Sequence, residues 1–130
     1  VSVETSLFTL LTTKQRVLCL DDDAVIAKMV GDVVRHCGHD PVTETDPLAA
    51  IVSHVRGGFA AVITDLYMPK ITGLEVLMAF EQSSPKTRRI LLTAASPDEE
   101  IRSAVKSGLV HMLISKPPTI NDIRTALAWL

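Results

Sequence analysis

Three observations make this sequence a doubly wound α/β protein of one domain, with five parallel strands that alternate with five helices. First, the stretch 61–73, A-V-I-T-D-L-Y-M-P-K-I-T-G, is an apolar run rich in β-branched residues that closes on Asp65 and is broken by Met68-Pro69. Such a run, bounded by turn signals, reads as a strand buried on both faces of a parallel sheet. Second, runs of this kind alternate with helix-period segments along the chain, and each parallel crossover needs a helix. Third, Asp21, Asp22, Asp65, Thr93 and Lys116 all stand where an apolar strand stops, the rim at which open α/β sheets place their chemistry.

Taken in order, 17–20 is a short all-apolar strand that stops at Asp21-Asp22-Asp23. Ile26, Met29, Val30, Val33, Val34 and Cys37 then recur at helical spacing, with Asp23 as the cap and Gly38 as the left-handed stop. The next strand, 41–45, has Val42 as its only strongly apolar residue and carries a proline, which suits a sheet edge. Asp46-Pro47 opens the second helix, Leu48, Ile51, Val52 and Val55 are its expected buried stripe, and Gly57-Gly58 ends it. The third strand covers 59–64 and leads into Asp65. Thr72 and Glu75 form a capping-box pattern for a helix whose inner face carries Leu74, Leu77 and Met78. Ile90, Leu91 and Leu92 are the fourth strand. A second capping box, Ser96-Pro97-Asp98-Glu99, opens a helix with Ile101, Ala104 and Val105 inward and Gly108 after it. The fifth strand is 110–115, and Thr119 opens the last helix, with Ile123, Ala126, Leu127 and Leu130 inward.

Composition bounds the function classes. With 130 residues, 47% hydrophobic and 22% charged at a net charge of −2, the chain is an ordinary globular domain large enough to bury a core without staples. The one basic cluster, Lys86, Arg88 and Arg89, reads as a solvated connection, so direct nucleic-acid binding is not expected. Cys19 in a strand and Cys37 on a helix face read as reduced packing residues of a cytoplasmic protein, and no apolar run reaches the length of a membrane span. The segment 6–13 lacks the basic start and cleavage site of a signal peptide. Residues 1–15 therefore read as a leader, a linker, an expression remnant or an extra helical turn, and 16–130 as the domain. His36-Cys37-Gly38-His39 straddles a helix end and reads as a cap region, not a metal site.

Gathered on one rim, Asp21, Asp22 and Asp65 repel and raise one another's pKa unless a cation intervenes. An all-oxygen set of few ligands points to a hard divalent ion that keeps some waters, magnesium. Together, L-D-D-D at 20–23, I-T-D-L-Y-M-P-K-I-T-G at 63–73, L-L-T-A-A at 91–95 and I-S-K-P-P at 114–118 resemble the receiver domains of two-component response regulators, over 16–130. The resemblance implies a flavodoxin-like fold with strand order 2-1-3-4-5. It implies that Asp65 accepts a phosphoryl group from a histidine kinase or phosphotransfer domain in a Mg2+-dependent reaction. By the same likeness, Asp22 ligates the ion directly, Asp21 reaches it through water, and the Tyr67 backbone carbonyl is a further ligand. Lys116 would pair with one phosphoryl oxygen and Thr93 would donate its hydroxyl to another, before a cis peptide bond at Lys116-Pro117. The implied output is a signalling phosphoacceptor, not a turnover enzyme. Its switch would be Thr93 acting on the face of the fourth helix, fifth strand and fifth helix, toward a linked or separate output domain or a homodimer through that face. The leader favours a piece of a hybrid kinase or larger regulator over a free-standing one.

Three positions depart from the family pattern. The residue three before Lys116, commonly aromatic in receivers, is Leu113, so output through backbone movement and helix faces is expected in place of an aromatic rotamer switch. Tyr67 and Ala95, two beyond Asp65 and Thr93, orient hydrolytic water poorly, and a long-lived phosphoryl group is expected. Thr72 replaces a common acidic residue and remains a competent helix cap. Two alternatives stand beside this reading. Asp21-x-Asp23-x-Val25 fits the motif of haloacid dehalogenase-type phosphatases, and a pseudo-receiver would bind a partner without phosphorylation.

Overall fold

In the computed structural model, which describes residues 14–94 and 96–130, β-branched and leucine-rich runs form five parallel strands. They are β1 (Arg16–Leu20), β2 (Asp40–Glu44), β3 (Ala61–Asp65), β4 (Arg88–Thr93) and β5 (Met112–Ser115), in the order β2-β1-β3-β4-β5. The helices between them are α1 (Ala24–His36), α2 (Pro47–Ala49, continued by a π-helical turn, Ala50–His54), α3 (Gly73–Ser83), α4 (Glu99–Lys106) and α5 (Ile120–Leu127). This is the flavodoxin-like arrangement that the family resemblance implies. The expected leader at 6–13 and Ala95 lie outside the described residues.

Strand residues alternate between two cores. Val17, Cys19, Ala61, Ile63, Ile90 and Leu92 pack with α1 and α5 through Val30, Val34, Ile123, Ala126 and Leu127. Leu18, Leu20, Val62 and Leu91 pack with α2, α3 and α4 through Ala50, Leu77, Phe80 and Ile101. A sheet apolar on both faces is what parallel crossovers require. Pro41 and Thr43 tolerate their place because β2 is an edge strand paired with β1 alone.

Several expectations need correction. In α1 the buried positions are Ala27, Val30, Gly31 and Val34, whereas Met29 is exposed. In α2 the predicted stripe fails at Leu48 and at Val52, which is 83% exposed. The i→i+5 turn of Ala50–His54 resets the phase, so Pro47 and Ala50 face inward instead. In α3 the inner face is Leu74, Val76, Leu77 and Phe80, and Met78 points outward. α4 starts later than Ser96: Asp98 caps it by accepting from the Ile101 amide, Pro97 precedes the helix, and Val105 is exposed on so short a stripe.

The basic cluster is not a solvated loop. Arg88 and Arg89 belong to β4, and Arg89 is 4% exposed. Its guanidinium donates to the carbonyls of Leu109 (2.8 Å), Pro85 (2.9 Å) and Gly108 (3.1 Å), with Glu81 at 3.5 Å. A buried arginine persists because loop carbonyls satisfy its fork. Strands otherwise shift by one or two residues at their ends, as boundaries do.

Candidate functional site

The C-terminal ends of β1, β3, β4 and β5 meet on one rim, where β1 delivers Asp21 and Asp22 and the other three deliver Asp65, Thr93 and Lys116. Asp21 follows β1 directly and is buried; its amide donates to the Glu44 carbonyl at 3.1 Å, which ties it to the end of β2. Its Oδ1 accepts from the Asp23 amide at 2.9 Å. Asp23 in turn caps α1 by accepting from the Val25 and Ile26 amides, so the second acid of the phosphatase motif is engaged in helix capping. Asp65 is the last residue of β3 and is buried. Thr93 ends β4, also buried, and its carbonyl accepts from the Lys116 amide at 3.0 Å, which fixes the residue after β5 against β4. The Lys116-Pro117 peptide bond is cis, as the resemblance implies.

Carboxylate oxygens of Asp21, Asp22 and Asp65 lie within 4.8 Å of one another, with Asp22 exposed and the other two buried. The Lys116 ammonium sits between two of them, 2.8 Å from Asp21 Oδ2 and 3.0 Å from Asp65 Oδ1. The sequence reading assigned the relief of carboxylate repulsion to a metal; part of it comes from the chain's own lysine. One ammonium against three carboxylates still leaves an excess of two negative charges. Burial pushes the Asp65 carboxyl above its usual range, the Lys116 hydrogen bond opposes this, and the Asp21 charge adds to it. Burial pulls the Lys116 ammonium down, but hydrogen bonds to Asp21 and Asp65 and their charges outweigh it, and the net shift is upward. An oxygen-only donor set with surplus negative charge fits a hard divalent cation such as Mg2+ and fits thiophilic metals poorly.

The loop after β3 is shaped by Gly73, a role the sequence reading missed. The Gly73 amide donates to the Leu66 carbonyl at 2.8 Å, and a Cβ at this position would lie 2.1 Å from the Asp65 carbonyl oxygen. Only glycine lets the start of α3 approach the backbone of Asp65 so closely. Lys70 takes φ +76° within the same loop, Leu66 and Met68 are buried, and the Tyr67 side chain is 60% exposed. On the neighbouring face, Leu113 is half-buried and lines an apolar groove of about 460 Å³ with Pro97, Ile101 and Val105. The His36–His39 segment shows cap geometry: Cys37 closes α1, and His39 Nδ1 accepts from the Gln15 amide at 3.3 Å. Burial pushes the Cys19 thiol up to about 12, which makes it an inert packing residue.

Comparison with known proteins agrees with this geometry. The sequence profile described as "Response regulator receiver domain" matches residues 17–128. The probable transcriptional regulatory protein TcrX of Mycobacterium tuberculosis is 30% identical over 107 residues, 82% of this chain and 45% of TcrX. The chemotaxis protein CheY-3 of Vibrio cholerae is 26% identical over 121 residues, 91% of this chain and 92% of CheY-3. The chain thus spans about half of TcrX and nearly all of CheY-3. Among solved structures, the BeF3-activated DrrB receiver domain superposes with a TM-score of 0.79 at 21% identity, over 90% of this chain and 97% of that one. The Vibrio cholerae chemotaxis response regulator CheY4 gives 0.78 at 24%, over 90% and 98%. Among the described residues no helix is long and apolar enough to cross a membrane. With a profile match over most of its length and the same sheet order, the chain belongs to the response regulator receiver domain family.

Proposed function

We propose that this domain is a phosphoacceptor in a two-component relay, with Asp65 as the nucleophile. The observation that carries the reading is the convergence of Asp21, Asp22 and Asp65 on one another, with Lys116 bridging Asp21 and Asp65. A carboxylate attacks an anionic phosphoryl group slowly, so the rate must come from in-line positioning and from charge offset at the equatorial oxygens. In the transfer, an Asp65 carboxylate oxygen forms a bond to phosphorus as the bond to the donor's histidine nitrogen breaks. The electron pair of that bond stays on the imidazole, which then takes a proton from solvent. Lys116 moves its ammonium from carboxylate to a phosphoryl oxygen, and the Thr93 hydroxyl donates to another.

Asp22, Asp65, the Tyr67 carbonyl and, through water, Asp21 would hold Mg2+. Bound there, the ion supplies positive charge against the phosphoryl oxygens. The product adds about two negative charges to the rim. Redirecting Thr93 and Lys116 toward it would alter the ends of β4 and β5, and α4 with the groove beside Leu113 would report this to an output domain, a separate partner or a second copy, a reading the apolar groove supports. The expected donor is a histidine kinase or phosphotransfer domain. We assign residues 16–130 to the receiver unit.

The test is intact mass after incubation with Mg2+ and phosphoramidate. One phosphoryl group is expected on the wild-type chain and none on Asp65→Asn or with a chelator present. Unchanged wild-type mass, or a phosphoryl group retained in Asp65→Asn, would overturn the assignment. Steady release of phosphate from a generic phosphate ester would instead favour a phosphatase.

A further inference from the structure

At the opposite end of the sheet from the carboxylates, the β4–β5 pair begins with a side chain in place of a backbone acceptor. The His111 amide donates to the Arg89 carbonyl at 2.9 Å, and the Arg89 amide donates in return to His111 Nδ1 at 2.9 Å. Nε2 of the same ring lies 3.3 Å from Nη2 of the buried Arg89 guanidinium. The imidazole therefore has a hydrogen-bond donor against each nitrogen. A neutral ring offers one acceptor and meets the stronger demand, that of the amide; a protonated ring offers two N–H groups and no acceptor.

The groups around it repeat this preference. The Arg89 guanidinium at the ring and the more distant Arg88 charge, which lies over Trp129, oppose a positive charge, and Glu81 from α3 favours one but is already 3.5 Å from the Arg89 guanidinium. Burial, assisted by the two arginine charges and opposed by Glu81, holds the imidazole below its ordinary 6.5. His111 is exposed, so protons reach it without any opening of the core. Arg89 is itself held by loop carbonyls and does not yield.

The geometry points to His111 as a pH-sensitive latch on the β4–β5 pair: neutral, it closes the start of β5 on the Arg89 amide, and protonated, it lets that end go. The consequence reaches the rim because β5 is the short strand that carries Leu113 and leads to Lys116. The latch stands on residues apart from the phosphorylation chemistry, so it is tested separately from it. The sign follows from linkage: a base whose folded-state pKa is depressed lends stability above its unfolded value. That stability is lost as pH falls below 6.5 toward the folded value.

The experiment is amide hydrogen exchange across a pH series, corrected for intrinsic rates, together with an NMR titration of the ring. In the wild-type protein, Arg89 amide protection is expected to fall by on the order of tenfold as the ring protonates, what one lost part-buried hydrogen bond yields. The Ile90 and Leu91 amides should hold. In His111→Asn an oxygen acceptor remains near the Nδ1 position without a titrating group, and Arg89 protection should be independent of pH. A ring that titrates at or above its ordinary value, a wild-type Arg89 amide indifferent to pH, or the same fall in His111→Asn would each overturn the proposal.

Discussion

Lys116 serves two carboxylates with one ammonium, 2.8 Å from Asp21 and 3.0 Å from Asp65, and its loss is felt in two ways. In Lys116→Ala the Asp65 carboxyl, already raised, is expected to titrate higher still in metal-free buffer, read by carbon-detected NMR. Phosphorylation by phosphoramidate should slow by roughly 10²-fold, the usual cost of one missing donor to developing oxygen charge. Asp65 itself carries a pH signature. Its folded-state pKa is raised above 3.8 by burial, so between these values the folded chain binds more protons than the unfolded one, and stability falls as pH rises through that window. Asp65→Asn is therefore expected to stabilise the metal-free protein at neutral pH, measured by urea unfolding, and to flatten the acid limb of its stability curve. Tyr67, exposed and two positions beyond Asp65, is expected to orient hydrolytic water poorly. A long-lived phosphoryl group is expected, and a half-life of seconds unchanged in Tyr67→Asn would contradict it. These residues were legible in the sequence because each ends an apolar run, and strand ends in a parallel sheet share one rim. The bridge made by Lys116 was not, since the distance from its Nζ to two acids 95 and 51 positions earlier is set by side-chain packing across β1, β3 and β5.

Among the elements, caps and close approaches decide where each helix begins. Asp98, not Ser96, accepts from the first turn of α4. Asp98→Ala is expected to cost about 1 kcal/mol and Ser96→Ala less than about 0.5 kcal/mol; equal losses in urea unfolding would reverse the assignment. α3 makes the sharper case. A Cβ on Gly73 would lie 2.1 Å from the Asp65 carbonyl oxygen, so Gly73→Ala must push the helix start away from the strand end. The expected loss is about 3 kcal/mol, at the upper end of overpacking costs, with phosphorylation impaired even where the chain remains folded. Helix periodicity found the five helices of the described residues, and the Thr72/Glu75 pattern and Thr119 marked two starts correctly; the Thr119/Asp122 capping box emerged only from the structure. Periodicity misjudged α2 because a π turn places successive inward residues at a wider interval than the 3.6-residue count assumes. The charge cluster at 86–89 hid the start of β4 because a buried arginine is legible only through its acceptors, and those are carbonyls of Pro85, Gly108 and Leu109, which carry no sequence signature.

Across the whole molecule, two apolar layers clamp a sheet whose carboxylate rim is short of positive charge. β1 places Val17 and Cys19 in one core and Leu18 and Leu20 in the other, so the strand has little freedom to slide, and Asp21 and Asp22 are delivered to the rim rigidly. Such a frame concentrates three carboxylates within 4.8 Å of one another, and the repulsion left after Lys116 is borne by the folded state alone, since the unfolded chain disperses it. A cation that binds only the folded arrangement must then raise global stability by RT ln(1 + [Mg2+]/Kd), about 2.7 kcal/mol at one hundred times Kd. Unfolding free energy is accordingly expected to climb logarithmically with Mg2+ in the wild-type chain. In Asp22→Asn the climb should move to much higher concentration, while the metal-free variant is at least as stable as the wild type, because a like charge has been removed from an exposed position that holds no structural load. The paired measurement separates a metal site from a merely acidic surface: general ionic screening would stabilise both proteins alike and would be reproduced by sodium at equal ionic strength, whereas a ligand set depends on the particular oxygen that residue 22 contributes. Identical Mg2+ dependence in the two proteins would remove the metal from the account and leave Lys116 as the sole counter-charge of Asp65.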